Sequence, residues 1–303
     1  MFKPTITVIT PVFNGEKYIS DTINSVLKYS KNYQVEYIVI NDGSTDQTQN
    51  IITGYSEYLR IITTRNLGES KSVNRGICES NSEILLVVNA DDPLFTSKIF
   101  EGIEEKFISN PNIVAVYSNW QQIDMQGEIQ KVISPGPYSE KELIGKFHCL
   151  PGPGTFFRKS SAQKIGGRNE KWKFVGDYDF WLRLSREGHF LFRNETLAQW
   201  RNHSESTSTR IRNVILAKER INVMKEFTSN YNIHPNLRKL SLSSAYYYAA
   251  QTSYYDAKVP GRRFLLASFF YAKGWPPVAK IKFVTFIVCL PFSRLLINLF
   301  GRR

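Results

Sequence analysis

The feature that most restricts what this chain can fold into is a regular alternation of segment types across residues 5–90. Thr5–Thr10 is β-branched and apolar, and Glu16–Tyr29 then carries Ile19, Ile23, Val26 and Leu27 at helical spacing. Tyr37–Ile40 and Arg60–Thr64 read as short strands, Glu69–Glu79 as a helix, and Glu83–Ala90, EILLVVNA, as a fourth strand. Ser44 with Gln47 three residues later predicts a capping box at the start of a further helix. The EILLVVNA segment is an apolar run instead of an alternating one, so it predicts burial on both faces. A strand–helix order of this kind predicts a mostly parallel sheet covered by helices. In such sheets ligands bind beyond the carboxyl ends of the strands. Thr10-Pro11, Asp42, Arg65-Asn66 and Asp91-Asp92 all lie at those ends and are expected to converge on one cleft. Two adjacent carboxylates there repel one another unless a cation, a ligand or water absorbs the charge.

Past Ile113–Ser118, another strand, the pattern loosens. WQQIDMQGEIQKV predicts a hairpin turning at Gln126-Gly127, and HCLPGPGTFFRK a Pro/Gly-broken loop entering a short strand. VGDYDFWLRLSREG predicts a helix with acids in its first turn, where the helix dipole favours them. From about Arg210 the chain reads as helical and aromatic. A hydrophobic fraction of 42% and a mean hydropathy of -0.30 suit a packed globular protein. Cys78, Cys149 and Cys289 show no disulfide or metal spacing, which predicts a reducing compartment, and MFKPTITVIT does not read as a cleavable signal peptide.

The net charge of +12 is unevenly placed: from Ala257 to Arg303 there are nine Lys and Arg and no Asp or Glu. A basic end of this kind suits a polyanion, either nucleic acid or an anionic membrane surface. Nucleic-acid binding would set basic residues among aromatics across the folded domain; here the excess is confined to an apolar tail. The uncharged run Phe283–Ser293 is 11 residues, short of the ~20 a spanning helix needs. It is expected to lie in the membrane interface, with FLLASFFYA joining it. Packing of these helices on the rest of the chain or on a second subunit is the rival expectation, and leaves a homo-oligomer open.

TVITPVFNGEKYI, YIVINDGSTDQT, RNLG, VVNADD, GGRNEKWKFVGDYDFWLRL and NHSEST, in that order, span residues 7–207. Together they resemble a family 2 glycosyltransferase with the GT-A fold, of the type acting in bacterial surface polysaccharide synthesis. The resemblance implies a Rossmann-like, mostly parallel α/β sheet flanked by helices, with a C-terminal helical extension. It implies that Thr10, Pro11 and Phe13 wrap the base and ribose of a nucleotide sugar and that Asp42 accepts hydrogen bonds from the base, although an Asx turn into Ser44 suits Asp42 equally. Arg65 would meet the base or a phosphate, or else be a solvated surface residue. The family's Asp-x-Asp is departed from: Asn89 replaces the first acid, leaving Asp91 to hold Mg²⁺ or Mn²⁺ against the diphosphate, with Asp92 a second ligand or the start of the next loop. His203 resembles a late histidine that reaches the metal or diphosphate. Asp177 aligns with the catalytic base, preceded by Gly176 where an acid is common, with Asp179 the second choice. His148, beside the Pro/Gly loop, is a weaker acceptor-contact candidate.

These residues imply an inverting, metal-dependent transfer from a nucleotide-diphosphate sugar, UDP-sugar favoured, to a saccharide or lipid-linked saccharide. The expected organisation is a catalytic domain over 1–208, with a nucleotide-sugar half (1–118) and an acceptor half (119–208), then helices over 209–303. The expected location is the cytoplasm, peripheral on the membrane's cytoplasmic face. An inactive nucleotide-binding relative acting as a scaffold is the alternative. A dinucleotide oxidoreductase is excluded because PVFNGEKY lacks G-x-G-x-x-G after the first strand.

Overall fold

Strand β1 (Ile6–Val12) is buried along its whole length and pairs parallel on both sides, with β2 (Val35–Asn41) and β4 (Ile84–Val87). Its unbroken ITVITPV run explains this, since a strand covered on both faces has no polar side to present. β3 (Arg60–Thr63) extends the parallel set beyond β2. β7 (Phe156–Arg158) lies between β4 and β5 (Ile113–Ile123), antiparallel to both. β5 pairs antiparallel with β6 (Ile129–Ile133) and parallel with β8 (His189–Arg201). The crossovers are helices α1 (Ile19–Ser30), α2 (Thr48–Thr53), α3 (Glu69–Glu79) and α4 (Ile103–Ser109); α5 (Lys159–Lys164) and α6 (Gly176–Leu184) follow β7.

This computed structural model describes residues 5–203, 214–252 and 261–271. The chain forms two compact units, Met1–Tyr138 with Cys149–Ser206, and Ser139–His148 with Thr207–Arg303. The sheet lies in the first. The second holds a single π-helical turn (Lys141–Gly145), α7 (Val214–Asn230), α8 (Pro235–Gln251) and α9 (Gly261–Tyr271). Residues 139–148, placed by the sequence reading in the acceptor half, pack instead with these helices. A Cβ on Gly145 would stand 2.9 Å from both Leu237 and Leu240, and Ser244 Oγ donates to the Gly145 carbonyl at 2.8 Å. Among the described residues no helix is long and apolar enough to cross a membrane. The basic run Phe283–Ser293 lies outside the described residues.

Three local expectations are corrected, and one strand is additional. β4 stops at Val87, short of Ala90, because the chain turns there, with Asp92 N–H donating to the Asn89 carbonyl at 3.1 Å. β5 runs on to Ile123. The Ser44–Gln47 capping box does not form: Ser44 Oγ accepts from Asn14 N–H instead, and the first N–H of α2, on Thr48, goes to Asp46 Oδ1 at 3.0 Å. Strand β8 was not anticipated. Its Arg193-Asn194-Glu195 interruption falls where the β5–β8 register shifts around Asn119, and Asn119 Nδ2 donates to Asn194 Oδ1 across that irregularity.

α3 packs on β1 through Ser72, Val73, Gly76 and Ile77. The approach is so close that a Cβ on Gly76 would fall 2.4 Å from Ile9 Cγ2. Helix propensity alone would reward Gly76→Ala by ~1 kcal/mol, but overpacking of this kind costs ~1–3 kcal/mol. The variant should therefore unfold at lower denaturant; an unchanged or raised midpoint would show that the contact relaxes freely.

Candidate active site

The loops at the carboxyl ends of β1, β2 and β3 are tied to one another before any ligand is considered. Asp42, buried at the end of β2, accepts from Leu67 N–H at 2.6 Å and Thr64 Oγ1 at 2.7 Å on one oxygen, and from Gly68 N–H at 2.7 Å on the other. Its carboxylate thus shapes the Arg65–Gly68 loop. Gly43 has φ +74, and a Cβ there would meet Asn66 N at 2.8 Å, so only glycine lets the two loops touch. The Asx turn before Ser44 is made by Asn41, whose Oδ1 accepts from Ser44 N–H at 3.0 Å. Asn14, Gly15 and Glu16 clip the β1 loop to the β2 loop: Asn14 Oδ1 accepts from Thr45 N–H, Gly15 N–H donates to Thr48 Oγ1, and Glu16 N–H donates to Asp46 Oδ2.

On this scaffold the side chains at the strand ends divide. Phe13 is 46% exposed, and Arg65 is exposed and makes no hydrogen bond or ion pair among the described residues; both are available to a ligand. Thr10 and Pro11 are buried, and the Thr10 hydroxyl is 3.1 Å from the Tyr37 hydroxyl. The Thr10 side chain therefore faces the core.

The NADD turn is held from behind by α1. Thr22 Oγ1 donates to the Ala90 carbonyl and Leu94 N–H donates to Ser25 Oγ, each at 2.8 Å. The two acids then part. Asp91, with a side chain 28% exposed, lies 2.8 Å from His203 Nε2. Asp92 is buried; Arg201 N–H donates to its Oδ1 at 2.8 Å and Asn89 Nδ2 to its Oδ2 at 2.9 Å. Burial, above all, and the adjacent Asp91 charge hold the Asp92 carboxyl well above the ordinary aspartate range. The expected metal role of Asp92 is corrected: both its oxygens are engaged inside the protein. Asn89, exposed, braces Asp92.

Arg201, which the sequence reading passed over, ends β8 and fastens this corner. Its Nε donates to the Asp91 carbonyl at 3.1 Å and its guanidinium to the Met125 carbonyl at 3.0 Å. It lies 4.8 Å from the Tyr18 ring centroid, and that ring lies 5.0 Å from the His203 ring. Nothing in a lone arginine two residues before a histidine signals this. Asp91 and His203 supply two donors at one point, and no group of three ligating His, Cys, Asp or Glu occurs among the described residues. Two donors fit a hard divalent ion that takes its other ligands from a diphosphate and water.

Asp177 opens α6, its Oδ1 accepting from Tyr178 N–H at 2.7 Å. It is enclosed on several sides yet exposed to solvent on another, and desolvation, the largest influence, raises its carboxyl above the ordinary range. Arg168 opposes the rise and Glu69 adds to it; these two form an ion pair at 2.6 Å. A Cβ on Gly176 would stand 2.8 Å from Ser70 Oγ, so an acid at this place would displace Ser70. Asp179 is corrected as a candidate base: it is buried and ion-paired with Arg183, which also donates to the Ile165 and Gly167 carbonyls. Cys149 lies near enough that Asp177's charge adds to the burial that pushes its thiol up. His148 belongs to the second unit, where its Nδ1 is 3.6 Å from Glu142.

The sequence model described as "Glycosyl transferase family 2" matches residues 7–166, more than half of the chain. An uncharacterized glycosyltransferase of Rickettsia prowazekii is 29% identical over 215 residues, 69% of this chain and 67% of that protein. A poly-beta-1,6-N-acetyl-D-glucosamine synthase of Staphylococcus epidermidis is 28% identical over 53% of this chain but only 41% of its own length. The S. aureus TarS 1-349 crystal structure in complex with UDP-GlcNAc superposes with a TM-score of 0.65 at 16% identity, covering 90% of this chain and 82% of that one. The mannosyltransferase PcManGT of Pyrobaculum calidifontis, in complex with GDP-Man and Mn²⁺, gives 0.56 at 13% identity, covering 100% and 89%. These structural likenesses establish a GT-A fold.

Removing the Arg201 guanidinium leaves the Asp91 and Met125 carbonyls without their donor. Arg201→Met should cost about 3 kcal/mol in denaturant unfolding. Arg201→Lys, which cannot span both carbonyls, should fall between the variant and the parent; equal stability of all three would refute this role.

Proposed function

The chain belongs to glycosyl transferase family 2, and on that premise we propose that it transfers a sugar, with inversion, from a nucleotide-diphosphate sugar to a saccharide hydroxyl. The observation that carries the reading is the meeting of Asp91 with His203 at 2.8 Å beyond the end of β4, in a sheet whose neighbouring strand ends present Phe13 and Arg65. In this reading Phe13 covers the base and Arg65 meets the base or a phosphate. Asp42 serves the nucleotide through the loop it shapes, and Asn89 through the ribose side of the NADD turn. Asp91 and His203 would hold Mg²⁺ or Mn²⁺, which when bound stabilises negative charge on the departing diphosphate.

Asp177 takes the proton from the acceptor hydroxyl as that oxygen forms its bond to the anomeric carbon and the bond from that carbon to the diphosphate breaks. Attack from the face opposite the leaving group inverts the configuration. An exposed carboxylate with a raised proton affinity suits the task, since it is a better base than an ordinary aspartate. Uridine is the favoured base, supported by the UDP-GlcNAc named in the TarS complex. A polysaccharide or its lipid-linked precursor is the favoured acceptor, supported by the name of the staphylococcal synthase.

Calorimetric titration with UDP, GDP and dTDP, each with Mn²⁺ and with chelator, tests the donor side. Metal-dependent binding of one nucleotide, abolished in Asp91→Ala, is expected; no binding under any condition overturns the reading. Asp177→Asn should lower kcat by ~10²–10⁴ and leave nucleotide affinity in place, whereas a parent that binds nucleotide without turnover would favour a scaffold. The base works deprotonated, so activity should fall as pH drops through a value above the ordinary aspartate range. Arg168→Gln removes the charge that opposes the rise and should move this acid limb to higher pH; Glu69→Gln should move it lower. Profiles of kcat/KM that coincide for the three proteins would discard Asp177 as the titrating base.

A further inference from the structure

Helix α9 has two unlike faces. Phe264, Ser268 and Tyr271 fall on one of them and pack on α8: Ser268 Oγ donates to the Ser243 carbonyl at 2.8 Å, Ser243 Oγ returns a bond to the Ser268 carbonyl at 3.0 Å, and the Tyr271 ring stacks on Tyr246 with centroids 5.8 Å apart. The opposite face carries Leu266, Phe269 and Phe270, which are 51%, 47% and 79% exposed, with Arg263 exposed beside them. Scattered single apolar residues at a surface are ordinary, but a leucine and two phenylalanines grouped on the outer face of one short helix mark a contact surface.

Charge selects the occupant. The segment from Ala257 to Arg303, in which α9 lies, has nine Lys and Arg and no Asp or Glu. A second copy would bring two such segments together with no acid in either to offset them. An anionic lipid surface supplies the opposite charge and, beneath it, an apolar layer for the rings. We propose that α9 docks on a membrane containing anionic lipid, with Leu266, Phe269 and Phe270 entering the headgroup boundary and Arg263 against the headgroups. The proposal stands apart from the transfer reaction and would survive its failure.

Cosedimentation of the full chain with vesicles of phosphatidylcholine alone, and of phosphatidylcholine mixed with phosphatidylglycerol, tests it. Binding is expected to the mixed vesicles only, and to weaken as salt rises. Leu266→Glu and Phe270→Glu should each lower the partition coefficient about tenfold or more, and Phe270→Ser, which adds no charge, should still lower it severalfold. Circular dichroism confirms that helix content is kept. A parent that ignores the mixed vesicles overturns the proposal, as do variants that bind like the parent. So does a parent that leaves vesicles alone but forms a dimer dispersed by the same substitutions, since a second copy would then be the occupant.

Discussion

The pairing of β1 with a parallel neighbour on each side is the constraint from which the rest of the catalytic unit follows. A central strand buried on both faces must carry apolar residues at every position, and parallel neighbours oblige the chain to cross over between strands. The ladder is kept in step past the strand ends themselves: Asp42 N–H donates to the Val12 carbonyl, Thr64 N–H to the Asn41 carbonyl, and Val88 N–H to the Ile9 carbonyl. The β1, β2, β3 and β4 loops therefore leave the sheet at one edge. Chemistry is assembled there because topology delivers four loops to one place, whatever each loop contains.

Loops bundled so closely have polar groups that water cannot reach, and each must find a partner within the protein. The partners turn out to be the devices that shape the site. Asp42 is occupied in folding the Arg65–Gly68 loop, Thr22 and Ser25 are buried polar residues of α1 that bond the backbone of Ala90 and Leu94, and Arg201 joins the end of β8 to the NADD turn. The adjacent acids illustrate the economy. Asp92 goes inward, where two donors and a raised proton affinity make it tolerable. Asp91 goes outward to His203. The repulsion expected of neighbouring carboxylates is relieved by direction as much as by any cation.

How much of this was legible in the sequence follows from the same physics. The first four strands and α3 could be read because apolar, β-branched runs alternate there with segments of helical period, a pattern few alternatives share. β8 could not, since its middle, Arg193-Asn194-Glu195, is polar where its register against β5 shifts and breaks any period. Motifs named Asp91 and Asp177, which solvent reaches, together with Thr10, Asp92 and Asp179, whose types suit a ligand site equally well but whose side chains point inward. A motif reports which residues are present at a turn; it carries no record of which way a side chain leaves the backbone. Arg201 escaped for the converse reason, as its importance lies in carbonyls supplied by residues 91 and 125, distant in the chain.

One helix links the two chemical halves. Gly68, immediately before α3, is bound by Asp42 on the nucleotide side. Within α3, Glu69 pairs with Arg168, and Asn74 exchanges hydrogen bonds with the backbone of Arg168, while Ser70 adjoins Gly176 next to Asp177. The contact of Gly76 with Ile9 fixes how far this helix stands from the sheet. A helix is stiff along its length, so the loop and the carboxylate that the proposed reaction uses for the leaving group and the acceptor proton both rest against one rigid element. In-line transfer demands that the proton acceptor and the leaving group be aligned to within a fraction of an ångström, and effective molarity collapses when they are not. α3 would supply that alignment to the proposed reaction by packing: the close approach at Gly76 orients the helix, and the helix adjoins both the Gly68 loop and Gly176, next to Asp177.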